Sequence, residues 1–282
     1  MMEFKSTSRP SPITGTWYIG DPTGLSEQID AYIKDAKVTK EDVPEEIIGL
    51  VAPHAGHRYS GKTAGYAYKT IKGKKIDLIV ILSPFHQYMP GDLITTAHKA
   101  FRTPLGEIPV DTNALNKCEQ VLNEKGIRIH QVSDDPEHSI EIQLPFVQRA
   151  LGTEFKLLPL MIRSLDDTIL KQVSDALFEV IRDRSFIVIA STDLSHFFPL
   201  DIAEQRDAEM LRRIKAMDPE GVLSAEKNGD ASACGAAAVA VMLWIAKKAG
   251  GKKAYVLNYS TSADSAGDKT SVVGYGSAAV VL

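Results

Sequence analysis

Three histidines each follow an apolar segment, and histidine is the side chain that most often binds transition metals or transfers protons near neutral pH. They are His54 after Ile47–Val51, His86 after Ile76–Leu82, and His196 after Phe186–Ala190. In open α/β sheets, the loops at the carboxyl ends of the strands converge and form the ligand site. One such histidine would more often be a hydrogen-bonded wall residue, but three at equivalent strand ends predict a shared site.

A metal site built on imidazoles also needs an anionic or soft ligand, and two residues are candidates. Asp193 lies three positions before His196, and Cys234 lies at the start of the predicted helix Ala233–Ala249. The free N–H groups and the dipole at a helix start stabilise thiolate, the form of cysteine that binds metal. Cys118 lies within another predicted helix, where we expect it to pack as a small hydrophobe. Two cysteines are too few for a disulfide framework.

Glu137, His138 and Glu141 precede a further predicted helix. These residues could hold a ligand imidazole in the correct tautomer, or the acids could simply complement the start of the helix. Other catalytic motifs do not fit. Ser191 and Ser195 lie near a histidine but outside a G-x-S-x-G motif, which disfavours a serine hydrolase.

The elements that position these residues alternate between strand-like and helix-like periodicity along the chain. We therefore predict an α/β fold, a single domain over residues 1–282 with a mixed central sheet flanked by helices. The predicted strands are Ile47–Val51, Ile76–Leu82, Leu93–Ala97, Phe155–Met161, Phe186–Ala190, Tyr255–Tyr259 and Val272–Leu282, the last at or beside an antiparallel edge. The predicted helices are Leu25–Ile33, Gly56–Ile71, Asp111–Glu124, Ser139–Leu151 with a kink at Pro145, Asp167–Arg182, Asp201–Met217 and Ala233–Ala249.

The net charge and the distribution of apolar residues exclude some classes of binding partner. The chain has 282 residues, 44% of them hydrophobic, and a net charge of −4 from 32 basic and 36 acidic residues. No excess positive field attracts nucleic acid or anionic membrane, and no apolar run approaches the roughly 18 residues of a membrane span. The beginning of the sequence has no apolar core of signal-peptide length. We expect a soluble, cytoplasmic protein with neither nucleic-acid nor membrane partners.

Four motifs in a fixed order resemble those of the Memo family. They are Ala52–Gly56 (APHAG), Glu137–Phe146 (EHSIEIQLPF), Asp193–His196 (DLSH) and Ala233–Gly235 (ACG). The entry segment with Arg9 and Gly15–Tyr18, and the end with Gly267–Asp268 and Val273–Tyr275, resemble the family as well. The resemblance therefore covers nearly the whole chain.

The resemblance implies a fold like that of class III extradiol dioxygenases, which are non-haem iron enzymes. It places the metal ligands on His54, His86 and Cys234, with Asp193 and His196 in the same pocket. Trp17 and Tyr59 match aromatic residues that line the pocket of the family, whereas His57 stands where a tyrosine is more usual. In prokaryotes the resemblance also implies a functional association with a radical-SAM protein.

Three functions follow as hypotheses. The favoured one is a metal-dependent redox protein that binds iron or copper, with zinc as an alternative, while His196 and Asp193 transfer protons or orient a ligand. The second is a non-catalytic module whose pocket binds a peptide or a small molecule. The third is an active extradiol-type dioxygenase that uses Asp193 as its carboxylate; a thiolate ligand disfavours it, because ring-opening enzymes use two histidines and a carboxylate.

Overall fold

A computed structural model of the chain describes residues 2–39, 42–43 and 46–282. Its strands are β1 (Lys5–Arg9), β2 (Ile47–Ala52), β3 (Leu78–Pro84), β4 (Leu93–Thr96), β5 (His98–Thr103), β6 (Gly106–Pro109), β7 (Ile129–Val132), β8 (Lys156–Ile162), β9 (Phe186–Ser191), β10 (His196–Phe198), β11 (Lys253–Thr261) and β12 (Val272–Val281). Its α-helices are α1 (Pro22–Asp35), α2 (His57–Lys69), α3 (Thr112–Asn123), α4 (Leu144–Leu151), α5 (Asp167–Ile181), α6 (Leu200–Lys215), α7 (Pro219–Asn228), α8 (Ala236–Lys248) and α9 (Ala263–Ala266).

The main sheet is mixed, as the sequence predicts. Its strand order is β10-β12-β2-β9-β3-β8-β4-β7, with β11 also paired to β12. The four central strands β2, β9, β3 and β8 are parallel, and antiparallel pairs occur on both sides of them. The carboxyl ends of β2, β9 and β3 therefore meet at one edge of the sheet, which is the edge that carries the candidate ligands.

The central strands are continuous apolar runs because both faces of the sheet are covered by helices. Every residue of β2 and β3 is buried. Helix α8 packs against β2, β3 and β9 and is buried from Ala236 through Ala246, so its sequence is apolar nearly all round rather than amphipathic. No helix in the described ranges is both long and apolar enough to cross a bilayer.

A second, three-stranded sheet has the order β1-β5-β6. Strand β1 pairs in parallel with β5, and Arg9 at its end is buried. This sheet could not be predicted from the sequence, since β1 reads KSTSR and lacks the alternating apolar residues that indicate a strand.

Three predicted helices differ from the structure. The predicted helix Ser139–Leu151 is a short 3-10 turn, Glu141–Gln143, followed by α4. Pro145 lies in the first turn of α4, where a missing N–H costs nothing, so it does not kink a helix. The predicted helix Asp201–Met217 ends at Lys215 and is followed by the separate helix α7, and α8 begins at Ala236, two residues after Cys234.

Candidate metal centre

His54, His86 and Cys234 lie together at the carboxyl edge of the main sheet. His54 is two residues beyond β2, and His86 is two residues beyond β3. One candidate ligand atom from each of the three lies within 4.8 Å of the other two, and Nε2 of His54 is 3.1 Å from Sγ of Cys234. Two nitrogen donors and one sulfur donor thus converge on a single point.

The loop before α8 brings Cys234 to this edge by packing closely against the end of β9. The amide of Gly235 donates to Oγ1 of Thr192 at 2.8 Å. A Cβ at Gly235 would lie 2.5 Å from the carbonyl oxygen of Ser191, so a residue with a side chain does not fit there. The same approach places the amide of Asp193 3.3 Å from the sulfur of Cys234.

A chain of buried hydrogen bonds fixes the tautomer of His54. The hydroxyl of Ser191 donates to the carbonyl oxygen of Ser139 at 2.6 Å, and it accepts from Nε2 of Gln143 at 2.7 Å. Its single proton is therefore used, so Nδ1 of His54, 3.2 Å away, must be the donor to it. Nε2 of His54 then carries a lone pair and faces Cys234. The hydroxyl of Tyr68 in turn donates to Oε1 of Gln143 at 2.7 Å, which fixes the orientation of that amide.

His86 is supported by a carboxylate rather than by a hydroxyl. Its Nδ1 lies 3.0 and 3.1 Å from the two oxygens of Glu137, and its amide donates to the same carboxylate at 2.6 Å. The amides of His138 and Ser139 donate to Glu137 as well. Burial opposes ionisation of Glu137, but these hydrogen bonds and the nearby imidazoles hold its pKa well below the usual range. An ionised Glu137 holds the proton on Nδ1 and leaves Nε2 of His86 free for a metal.

His138 forms one wall of the pocket between two aromatic rings. Its ring stacks on that of His86 with centroids 4.9 Å apart and contacts Trp17 with centroids 4.1 Å apart. Burial lowers the pKa of His138 to about 4, with the charge of His86 acting in the same direction and that of Glu137 opposing it. The predicted pocket residues Trp17 and His138 are thus in contact, and His138 is neutral near pH 7.

Asp193 lies in the pocket, and its carboxylate holds the backbone of His54. Oδ1 of Asp193 accepts from the amides of His54 and Ala55 at 2.7 and 3.3 Å. Burial raises the pKa of Asp193 to about 7, although these hydrogen bonds and His86 oppose the shift. Among the described residues, Asp193 is not part of the group of donors within 4.8 Å.

His196 begins β10 and is paired with Val273 of β12. It is partly exposed and lies outside the group of three donors. Burial lowers its pKa, the hydrogen bond to the backbone of Leu194 opposes that shift, and the charge of His86 adds to it. His196 therefore stands near the ligands without belonging to their group.

Two other predicted pocket residues lie in different surroundings. The carboxylate of Glu141 accepts hydrogen bonds from Arg9 at 2.8 Å and from Tyr18 at 2.7 Å. The prediction that Glu141 holds a ligand imidazole is therefore wrong, because its oxygens are occupied by the N-terminal segment. Tyr59, in the first turn of α2, is 40% exposed.

The thiol of Cys234 departs from the expectation of a helix-start thiolate. Burial and the charge of Asp193 raise its pKa above the ordinary value, although hydrogen bonds with the amide of Asp193 and with Thr192 oppose the shift. The amide of Gly235, the residue that precedes α8, lowers the pKa of the thiol, but burial outweighs this effect. In the metal-free chain Cys234 is therefore a protonated thiol whose proton a metal ion would displace. Cys118 is fully buried in α3, as predicted, and burial raises its pKa to about 12.

Sequence reasoning missed the support of His54. The sequence indicates Ser191 only as a possible nucleophile and indicates no role for Gln143 or Tyr68. Gln143 does lie within the EHSIEIQLPF motif, so its position carried a signal, but its partner Ser191 is 48 residues away along the chain.

Comparison with known proteins identifies the family of the chain. The sequence model of the Memo-like protein family matches residues 9–279. The chain belongs to the Memo family. A MEMO1 family protein of Nitrosopumilus maritimus is 34% identical over 270 residues, which cover 95% of this chain and 98% of that protein. One from Saccharolobus solfataricus is 33% identical over 275 residues, covering 93% and 95%. Membership also confirms the predicted dioxygenase-like α/β fold of this Memo-family chain.

Proposed function

We propose that this Memo-family protein binds a redox-active metal ion, iron or copper, through His54, His86 and Cys234. The observation that carries the proposal is the convergence of these three donors within 4.8 Å, with Nδ1 of each histidine committed to a hydrogen bond and Nε2 left free. A structural histidine needs no such arrangement. Metal-binding histidines almost always have one, because the second nitrogen sets the tautomer and the direction of the ring.

The donor set fits a soft or borderline metal. Two imidazoles and a thiolate suit copper(I), zinc and iron better than hard ions such as magnesium. Three protein donors leave at least one coordination position open, which is the arrangement of catalytic rather than structural sites. When bound, iron or copper would supply one-electron chemistry or activation of a ligand at that open position.

The other residues of the pocket would handle protons and orient the ligand. His196 and His138 are neutral near pH 7, since burial lowers the pKa of both, so either ring can accept a proton. Asp193 fixes the backbone of His54 and hence the direction of its ring. We assign His196 to proton transfer and Asp193 to positioning.

A binding module is the second candidate, and the distribution of exposed aromatic side chains favours it. Several large aromatic side chains are exposed in the described part of the chain. Each of them lies close, in sequence or in space, to a pocket histidine. They are Trp17 against His138, Tyr59 five residues after His54, Tyr88 two residues after His86, and Phe197 beside His196. Exposed aromatic rims commonly mark surfaces that bind a peptide or a small molecule.

An extradiol-type dioxygenase is the weakest of the three candidates. It would need a carboxylate ligand, and the carboxylate of Asp193 already accepts two backbone hydrogen bonds. A functional association with a radical-SAM protein, which the family resemblance implies, stays a prediction.

One experiment separates these functions. The metal-free protein is loaded anaerobically with iron(II), copper(I) or zinc(II), and bound metal is measured after gel filtration. Oxygen consumption is then followed with and without catechol. Tight, stoichiometric iron or copper that cycles between oxidation states supports the redox proposal. Catechol-dependent oxygen uptake would favour the dioxygenase, and a protein that retains no metal would contradict the proposal and leave the binding module.

A further inference from the structure

Arg9 lies outside the candidate metal centre, yet it is buried and makes several strong hydrogen bonds. It stands at the end of β1, and only 3% of it is exposed. Nε and Nη2 donate to the two carboxylate oxygens of Asp135 at 3.2 and 2.8 Å. Nη2 also donates to the carbonyl oxygen of Glu137 at 2.6 Å, and Nη1 donates to Glu141 at 2.8 Å.

These bonds hold a single short segment, residues 135–143, from one side. That segment supplies most of the support behind the two ligand histidines. Glu137 holds Nδ1 of His86, the carbonyl of Ser139 accepts the proton of Ser191, and Gln143 donates to the same serine. The carbonyl that Arg9 contacts belongs to Glu137 itself, so the guanidinium holds the backbone of the residue whose carboxylate directs His86.

Glu141, one of the acceptors of Arg9, also holds the segment that follows β1 and contains Trp17. Glu141 accepts from Tyr18 at 2.7 Å and from the hydroxyl of Ser11. Trp17 precedes Tyr18, and its ring contacts His138 with centroids 4.1 Å apart. Arg9 thus ties together the wall of the pocket and the support of its ligands.

From this geometry we propose that Arg9 is a positioning residue of the metal centre, acting through Glu137 on His86. This inference rests on the metal site of the proposed function. An arginine is needed because its planar fork reaches a carboxylate through two N–H groups while further N–H groups reach a carbonyl and a second carboxylate. A lysine would keep the charge that balances Asp135 and Glu141, but its ammonium cannot reach all five acceptor atoms, which include the carbonyl oxygen of Asp135.

The test is the affinity of the full-length protein for cobalt(II), measured by competition with a chelator, in Arg9→Lys. We expect a loss of about 10- to 100-fold, the usual effect of disturbing a partner behind a metal ligand, with near-native circular dichroism. Arg184→Lys is the matched control, since Arg184 also pairs with a buried carboxylate, Asp111 at 2.7 Å, away from the pocket. That control should bind within twofold of the parent protein.

A double-variant cycle distinguishes positioning from a general structural role. If Arg9 acts through Glu137, then Arg9→Lys should cost little further affinity once Glu137→Gln is present. Fully additive losses, or cobalt affinity in Arg9→Lys within twofold of the parent, would overturn the proposal. If Arg9→Lys does not fold, Asp135→Asn is measured in its place, because it weakens the ion pair between Arg9 and Asp135.

A second readout does not depend on metal. In the metal-free protein, the Nδ1 proton of His86 is observed by NMR, and Arg9→Lys should shift it or increase its exchange with water, whereas Arg184→Lys should not. If the parent protein binds no metal, the proposed function fails, but this signal still decides the role of Arg9. An unchanged His86 signal would refute it.

Discussion

Nδ1 of His86 lies within 3.1 Å of both carboxylate oxygens of Glu137. The equivalent nitrogen of His54 faces only a hydroxyl, that of Ser191. A carboxylate raises the basicity of an imidazole more than a neutral acceptor does, because it stabilises positive charge on the ring. The two candidate ligands are therefore supported unequally, and this difference can be measured.

Glu137→Gln should lower metal affinity by about 10- to 100-fold. The amide removes the charge behind His86 and turns an NH2 group toward backbone amides that now donate to the carboxylate. The affinity for copper(I) or iron(II) is measured by competition, with unfolding followed in parallel. Asp111→Asn is the control, because Asp111 is a buried carboxylate remote from the pocket. Equal affinities in the two variants would contradict the role of Glu137.

Ser191→Ala should weaken metal binding less than Glu137→Gln does, by about tenfold. The variant removes the acceptor of the Nδ1 proton of His54 but no charge. Ser174→Ala, in α5, removes a buried serine whose hydroxyl donates only to a helix carbonyl, and it should leave affinity unchanged. A loss after Ser191→Ala larger than that after Glu137→Gln would reverse the assignment of the stronger support.

The location of the pocket could be predicted from sequence because it follows from topology. His54 and His86 come directly after buried strands, and parallel neighbours must end at the same edge. Glu137 could be proposed as the support of an imidazole, but the sequence does not indicate which one, since it is 51 residues from His86. The support of His54 by Ser191 could not be predicted, because the two residues are 137 positions apart. Such pairs are set by how the sheet and its loops pack, which local periodicity does not encode.

Two predictions differ from the structure, the role of Glu141 and the start of α8, and each difference has a local cause. Glu141 shares a motif with Glu137, but it lies in the 3-10 turn that follows the loop of Glu137, and its carboxylate pairs with Arg9. The helix start was placed at Ala233 because the apolar run begins there, whereas Gly235 is the residue before the first helical turn. Helix existence is thus better predicted than the exact position of its ends.

His57→Gln should reduce the amount by which the free energy of unfolding falls as the pH is lowered. His57 is buried against Tyr18 and Phe146, and burial lowers its pKa to about 4, although its hydrogen bond to Ile142 opposes the shift. Between about pH 6.5 and pH 4 the unfolded chain binds a proton that the folded chain does not, so stability falls as pH falls, by about 3 kcal/mol from this group.

The measurement is urea unfolding of the metal-free protein from pH 4 to pH 7. Gln keeps a donor for the carbonyl of Ile142 but cannot be protonated. The free energy of unfolding should therefore change less steeply with pH than in the parent protein. His57→Phe, which also cannot be protonated but lacks the donor to Ile142, separates the loss of the titrating group from the loss of the hydrogen bond. An unchanged slope in His57→Gln would show that His57 does not contribute.

Cys234 should react with iodoacetamide before Cys118 in the metal-free, native protein. Cys234 is partly exposed, whereas Cys118 is fully buried in α3. Because burial raises the pKa of both thiols, both reactions should be slow at pH 7 and faster at pH 9. Bound metal should protect Cys234 alone. Peptide mass spectrometry gives both rates, and earlier labelling of Cys118 would contradict the assigned environments.

We propose that two imidazoles and one thiolate bind the metal. X-ray absorption spectroscopy of the anaerobic, copper(I)-loaded protein tests it most directly. We predict one sulfur and two imidazole nitrogens around the metal in the parent protein and in Cys118→Ser, and no sulfur in Cys234→Ser. A sulfur-free shell in the parent protein, or a sulfur that persists in Cys234→Ser, would contradict the claim.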